Sequence, residues 1–465
     1  MSKPAPEAPT TASPVVLGSR ISGFYRLGLD DRRSLLLARL TQGGLAPGLL
    51  AALEPLGGLS TPVADRMIEN VVGVLGLPLG VALNFVVDGA SVIVPMAVEE
   101  PSIVAACSHI ALLAADGGGF VTETDAPITV GQVQLLDVRD VDMAVARITA
   151  ATAELIEAAN ALCPGLVERG GGCVSVVTRV LPQLPADDVH GDLDDGGPMV
   201  VVHIALDARE AMGANAVNTV VEGLSARLEA LSGGRACLRI LTNLADERKA
   251  RARMRIPYAS LGASGGDNDD AGRAVAKGIV EAWRFAARDP YRACTHNKGI
   301  MNGVDAVAIA TGNDWRAIEA GAHAYAARTG RYTSLTRFFL DDDARCLVGT
   351  IELPMAVGTV GGATRVHPTV QAARALMGPA ALSARSLAGV MAAVGLAQNT
   401  GALKAMVTEG IQKGHMALHA RQVALAAGAT AAEVEAVAAV IVSEGTVREA
   451  RAKEVLQTLR EGYPR

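Results

Sequence analysis

The stretch Thr295-His-Asn-Lys-Gly-Ile-Met-Asn-Gly303 packs five polar side chains and two glycines into nine residues. Lysine is scarce here, 7 residues against 35 arginines, so Lys298 stands where arginine would be the default. A compact ammonium can sit against one developing oxyanion, and burial moves its pKa. The competing reading is a polar turn with a solvated lysine. Val98-Glu-Glu-Pro-Ser102 sets two carboxylates between a strand-like run and an apolar helix-like run. They form a solvated terminus favoured by the helix dipole or, if Glu100 is buried, an acid protonated near neutrality. Asp314 precedes another helix-like segment and can cap it or face a lysine. His415 and His419 are four apart and share a face on a helix. No third ligand and no H-E-x-x-H pattern accompany them, so no metal is expected. They read as surface histidines or as an acid/base on a mobile segment. Asp207-Ala-Arg-Glu-Ala-Met-Gly-Ala-Asn215 lies between a strand and a helix. Gly213 and Ala214 allow close backbone approach, and the helix N-terminus offers N–H groups to a phosphate. A tight strand-to-helix turn explains the same pattern, and no Rossmann fingerprint is present.

These residues need a scaffold, and 465 residues suffice for two or three domains. Half the residues are apolar but only 3% aromatic, so the core is built from Ala, Val, Leu and Ile. A net charge of −6 argues against nucleic acid as a bulk partner. Six cysteines without a C-x-x-C pair fit reduced thiols in a cytosolic protein. The longest apolar run, Val71 to Val87, is broken by Gly73, Gly76, Pro78, Gly80 and Asn84 and is no membrane span. The Pro- and Thr-rich N-terminus lacks the apolar core of a signal peptide and reads as a short disordered tail.

Periodicity predicts helix through Arg20 to about Ala52 and again through Ala64 to Val74. A hairpin turns at Asp88-Gly89 between Leu83–Val87 and Ser91–Met96, ahead of a helix over Ile103–Ala115. Then come a strand (Ile128–Val138), a helix (Val141–Ala161), Gly170-Gly-Gly172, a strand (Cys173–Leu181) and a turn (Asp192–Gly197). A strand (Met199–Leu206), a helix (Ala216–Leu231) and a strand (Ala236–Leu241) follow. This βαββαβ order is the ferredoxin-like arrangement, a self-contained insert. Asp246–Arg255 reads as an exposed Arg-rich helix and Ser264–Asp270 as a loop. A helix ends at Arg288, Asp289–Arg292 is a turn, Ala306–Ala310 a short strand and Ile318–Ala327 a helix. Gly358–Gly362 is a glycine-rich loop; the second of two Ala-rich helices after it carries Gln398 and Asn399. A terminal helical unit spans Thr430–Arg460.

Seven stretches together resemble the hydroxymethylglutaryl-coenzyme A reductases of the soluble bacterial kind (class II, degradative type). They are Glu69-Asn-Val-Val-Gly73, Val98–Ser102, Asp207–Asn215, Thr295–Gly303, Thr311–Asp314, Gly358–Thr364 and Gly414-His-Met416, in the family's order. The resemblance implies an α+β fold: a large mixed substrate-binding domain (19–127 and 244–407) interrupted by a ferredoxin-like nucleotide-binding domain (128–243). A small helical C-terminal flap (408–465) and a disordered tail (1–18) complete it. By that resemblance Glu100, Lys298, Asp314 and His415 are the catalytic set, with Asp314 beside the lysine and His415 protonating the departing thiolate. Ser102, Arg292, Asn302, Asn399 and Arg26 match positions that contact the hydroxymethylglutaryl group. Glu210, Met212, Gly213, Ala214, Asn215 and Asn243 match the nucleotide side. The implied reaction interconverts hydroxymethylglutaryl-coenzyme A with mevalonate and coenzyme A. It uses two hydrides from NAD(H) or NADP(H), via a hemithioacetal and mevaldehyde, and no metal. A cytoplasmic homodimer with its active site between subunits is implied, without nucleic acid or membrane.

Two positions depart from the family's pattern. Glu210 stands where relatives usually carry aspartate. The acidic residue that NAD-using members place before the triple glycine is missing from Ala161–Leu166, with only Glu168 close by. General closeness to the mevalonate-degrading members favours NAD. Two other classes compete: a coenzyme A-ester binding or regulatory protein without turnover, and a thioester hydrolase using Cys294 or Ser102. No sequence-local Ser/His or Cys/His signature supports the hydrolase.

Overall fold

The computed structural model describes residues 18–42, 58–183, 197–262, 269–408 and 410–461. Ten strands are described: β1 (Leu79–Val87), β2 (Ala90–Ala97), β3 (Phe120–Thr124), β4 (Ile128–Leu136) and β5 (Gly172–Leu181), then β6 (Met199–Asp207), β7 (Arg235–Leu241), β8 (Lys249–Pro257), β9 (Thr336–Asp341) and β10 (Cys346–Pro354). They form a six-stranded sheet, order β2-β1-β3-β8-β10-β9, and a four-stranded sheet, order β5-β6-β4-β7.

The hairpin β1–β2 turns where expected, because Asp88 and Gly89 both adopt positive φ. The helix Ile103–Ala115 follows and buries Ile103, Cys107, Ile110 and Leu113 against the large sheet's core. Phe85 and Phe120 stack there with centroids 5.4 Å apart, worth roughly 1 kcal/mol beyond the buried area. In the small sheet all pairings are antiparallel, and one face carries Val133, Leu135, Val202, Ile204 and Leu206. Those side chains pack on Leu155 and on Val217, Val221 and Leu224 of the helix Ala214–Ser232. This is the expected ferredoxin-like arrangement. Its first helix is broken at Ala151 into Val141–Ala150 and Thr152–Leu162. A third apolar cluster joins the helices Ile411–Ala426, Val434–Ser443 and Glu449–Glu461.

Five expectations are corrected. Thr295–Gly303 is no loop and Ala306–Ala310 no strand: both lie in one 21-residue helix, Pro290–Ala310. Asp289, expected in a turn, caps that helix by accepting from the Tyr291 and Arg292 N–H groups, and Pro290 suits its first position. The Arg-rich segment is β8, the strand next to β3 and β10. Ala250, Ala252, Met254 and Ile256 are buried, while Arg251 on the opposite face pairs with Asp125 and Glu352 at 2.7 Å each. A period of two, not 3.6, governs it. The helix expected over Ala64–Val74 is a single turn, Thr61–Ala64, and residues 71–78 have no regular structure. Asn70 takes a positive φ there, and Val72 and Leu75 are fully or nearly fully exposed, so the segment has no core face. The sequence reading assigned nothing to β3, β9 and β10; β10 is buried on both faces and lacks alternation.

The tail before Gly18, the helix expectation beyond Gln42, and most of the Asp192–Gly197 turn and the Ser264–Asp270 loop lie outside the described residues. Among the described residues, no single helix is long and apolar enough to cross a membrane.

Candidate active site

The helix Pro290–Ala310 carries the polar stretch in register. Its inner face buries Ala293, His296, Asn297, Ile300, Met301 and Val304. Gly303 lets it approach the helix Ala384–Val407, since a Cβ there would lie 3.0 Å from the Gln398 Cβ. The polar residues on the inner face are tied to the chain before β9. Asn297 Nδ2 donates to the Thr333 carbonyl at 2.9 Å, and Asn297 Oδ1 accepts from the Leu335 N–H at 3.1 Å. His296 Nε2 meets Thr336 Oγ1 at 2.7 Å and Ser334 Oγ at 2.8 Å. Burial and the nearby Arg292 push the imidazole down to about 3, so it is neutral at working pH. Lys298, two residues beyond His296, is thereby aimed outward.

There it meets Glu100. Lys298 Nζ and Glu100 Oε2 are 3.2 Å apart, although 198 residues separate them in sequence. The side chains are 61% and 39% exposed, so Glu100 is not the deeply buried acid that the sequence argument required. Ser102, two residues further, has φ 77 and a buried hydroxyl oxygen that finds no partner among the described residues. A strained residue with an unsatisfied buried hydroxyl beside an ion pair is a ligand-facing arrangement. Asn302 is half-buried one turn beyond Lys298, on the same face. Arg292, earlier on the helix, is half-buried with its guanidinium 3.6 Å from the Met406 sulfur, and burial lowers its pKa.

Other expected residues lie differently. Asp314 is 44% exposed, accepts from the Ala317 N–H at 3.2 Å and pairs with Arg316 at 3.3 Å. Its helix-capping role is the one observed, and the carboxylate paired with Lys298 is Glu100. Asn399 is buried: Oδ1 accepts from Thr336 Oγ1 at 2.8 Å, and Nδ2 donates to the His296 carbonyl at 3.4 Å. It sits behind the helix rather than on its open face. Arg26 is exposed in the short 3-10 turn Phe24–Arg26. His415 falls in the helix Ile411–Ala426, and its side chain lies outside the described part. Cys294 is exposed and, among the described residues, bonds no histidine, so the hydrolase pairing is not formed.

On the nucleotide side, Gly213 caps the 19-residue helix Ala214–Ser232 with φ 102 and no side-chain cap, leaving its first N–H groups facing the turn. A Cβ at Gly213 would lie 2.8 Å from both the Ala208 Cβ and Thr129 Oγ1, so only glycine closes this turn. Exposed Asn215 is in the helix's first turn, and exposed Asn243 follows β7. Backbone at a long helix N-terminus fits a dinucleotide's phosphates. Glu210 points elsewhere: its carboxylate accepts from the Ala384 N–H at 2.6 Å and from Thr359 Oγ1 at 3.1 Å. Beneath the turn, Arg248 is 4% exposed and bonded to backbone carbonyls. Burying a guanidinium without a carboxylate costs on the order of several kcal/mol, and that burial lowers its pKa to about 10.

A half-buried chain of acidic and aromatic groups had no counterpart in the sequence reading. His323 Nε2 is 2.6 Å from Glu319 and its Nδ1 is 2.7 Å from the Tyr332 hydroxyl. Asp305 adjoins Glu319; burial, then that neighbouring carboxylate, raises its pKa. The four-residue spacing of Glu319 and His323 was the available signal.

The hydroxymethylglutaryl-coenzyme A reductase family model matches residues 30–420. A 3-hydroxy-3-methylglutaryl-coenzyme A reductase of Archaeoglobus fulgidus is 45% identical over 445 residues, covering 96% of this chain and 95% of that protein. The solved reductase of Streptococcus pneumoniae superposes with a TM-score of 0.76 at 41% identity, covering 94% of this chain and 99% of that one. A further structure of the class II enzyme from that organism, bound to NADPH in open conformations, aligns with the same score over 83% of this chain. The fold is thus that of a class II reductase. The chain belongs to the hydroxymethylglutaryl-coenzyme A reductase family.

Proposed function

We propose that the chain interconverts 3-hydroxy-3-methylglutaryl-coenzyme A and mevalonate plus coenzyme A, using a nicotinamide nucleotide twice per turnover. The observation that carries this reading is the Lys298–Glu100 pair, brought to 3.2 Å from two distant motifs. When bound, the nucleotide supplies hydride. Lys298 holds the former carbonyl oxygen as it gains negative charge. Glu100, already hydrogen-bonded to that lysine, moves the proton between the pair and the same oxygen. Ser102, Asn302 and Arg292 bind the hydroxymethylglutaryl end, with Arg26 a further contact. Asn399 acts from behind, through Thr336 and His296. Asp314 keeps the lysine charged and oriented, and His415 on the C-terminal helices protonates the departing thiolate. Met212, Gly213, Ala214, Asn215 and Asn243 hold the nucleotide.

NAD is the proposed nucleotide. Arg209, whose guanidinium lies beside the Gly170 turn, is paired with Asp207 at 3.4 Å, a carboxylate that competes with a 2′-phosphate for it. The NADPH bound to the Streptococcus pneumoniae relative favours the other assignment. kcat/KM with NADH against NADPH decides between them.

The proposed organisation keeps the substrate domain at 19–127 and 244–407, the nucleotide domain at 128–243 and the flap at 408–465; separate apolar cores support it. The proposed assembly is a cytoplasmic homodimer. Ile68, Val72, Val74, Leu75 and Leu77 form an exposed apolar strip that suits a second copy. Purified protein given the thioester and NADH should release coenzyme A while oxidising nicotinamide. Binding without hydride transfer would instead support the non-catalytic scaffold.

A further inference from the structure

We propose that Arg248 and Glu210 form a clamp fixing the Asp207–Asn215 turn against the Gly358–Gly362 loop, with Arg248 a positioning residue for hydride transfer. The inference rests on reading that turn as the nucleotide site. Three segments distant in sequence converge on one buried guanidinium. Arg248 Nη1 donates to the Met212 carbonyl at 3.1 Å, the Ala211 carbonyl at 3.3 Å and Thr129 Oγ1 at 3.3 Å. Its Nη2 donates to Ala211 again at 3.3 Å and to the Val357 carbonyl, the residue before the glycine-rich loop. Among the described residues no carboxylate forms an ion pair with the guanidinium, although Asp207 and Glu210 are near enough to favour its charge, and its bonds go to backbone carbonyls and the Thr129 hydroxyl.

Glu210 closes the other side. Its carbonyl accepts from the Thr359 N–H at 2.8 Å, and its carboxylate binds the Thr359 hydroxyl and the Ala384 N–H. A one-residue parallel bridge joins Ala211 to Val360, and a Cβ on Gly358 would lie 2.5 Å from the Met212 nitrogen. The two loops are therefore in backbone contact. The Gly358 N–H in turn donates to Asn313 Oδ1 at 2.8 Å, beside Asp314. One hydrogen-bonded path runs from the nucleotide turn to the segment that carries a proposed catalytic carboxylate.

The chemistry explains both residue types. A planar fork donates in its own plane from separate nitrogens and so reaches carbonyls along different edges, whereas an ammonium presents its donors from one atom. The extra methylene of glutamate lets the carboxylate reach the Ala384 N–H, at the start of the helix Ala384–Val407. Glu210 is thereby reassigned from nucleotide contact to clamp.

The test uses the full-length protein. Arg248→Lys keeps the charge and removes the fork; the KM and Kd for the reduced nucleotide should rise roughly a hundredfold. The KM for the thioester should move by less than about threefold. Thr359→Val, a shape-preserving change, should shift the same two constants several-fold in the same direction. It decides the question if Arg248→Lys does not fold. A merely structural role would lower thermal stability and leave both nucleotide constants of the folded variants at wild-type values, and that result overturns the clamp alone. Absence of turnover in the wild-type protein with either nucleotide overturns the functional reading and the clamp with it.

Discussion

The two ends of the proposed site solve opposite problems. At the substrate end, a partly exposed ammonium and carboxylate meet, and the helix that carries the lysine is held from behind by buried His296 and Asn297. At the nucleotide end the ligand-facing groups are backbone N–H groups, while the charged arginine is buried beneath them. In this proposal the reacting groups stay partly exposed, whereas the nucleotide turn is fixed from beneath by a buried cation bonded to its carbonyl groups. A side-chain site tolerates exposure, whereas a backbone site depends on what holds its loops.

This contrast can be broken most severely at the substrate end. Lys298→Ala should lower kcat about a thousandfold with little change in nucleotide affinity, measured as nicotinamide oxidation beside a nucleotide titration. Equal loss of both would erase the distinction between the ends. His415→Ala should slow thioester reduction about a hundredfold but leave reduction of free mevaldehyde within a few-fold, because mevaldehyde has no thiol to expel. Equal loss on both substrates would contradict that role. Val72→Asp places a charge in the exposed apolar strip and should halve the mass seen by light scattering, with loss of activity at dilute concentration; an unchanged mass and activity would remove the dimer from the account.

The smallest effect concerns neither end. Burial and Glu319 raise the Asp305 pKa, so the folded state binds a proton that the unfolded chain releases above about 4. A raised folded pKa gives stability that is full at low pH and is lost as pH rises toward about 9. Asp305→Asn should therefore flatten the pH dependence, with a Tm gain of about 2 °C or more at pH 8 and less at pH 5 by calorimetry. A gain that shrinks as pH rises would contradict the sign.

Local patterning made much of the fold legible. The Asp88-Gly89 turn, the helix Ile103–Ala115 and the βαββαβ series follow from period and turn chemistry. The helix around Lys298 was hidden because His296 and Asn297, polar residues, occupy its buried face and interrupt the apolar period. Strand β8 was hidden because Arg251 pairs with Asp125 and Glu352 on neighbouring segments, contacts invisible to a one-dimensional pattern. Glu100 and Lys298 were each nameable from sequence, but their meeting is a property of topology. Arg248 was missed altogether, since its partners are backbone carbonyls and one threonine hydroxyl, and carbonyls leave no trace in residue type.

The most direct measurement counts stoichiometry. With hydroxymethylglutaryl-coenzyme A and a reduced nicotinamide nucleotide, the account predicts two nucleotides oxidised for each coenzyme A thiol released. Thiol release without nucleotide oxidation, or no turnover with either NADH or NADPH, would contradict it.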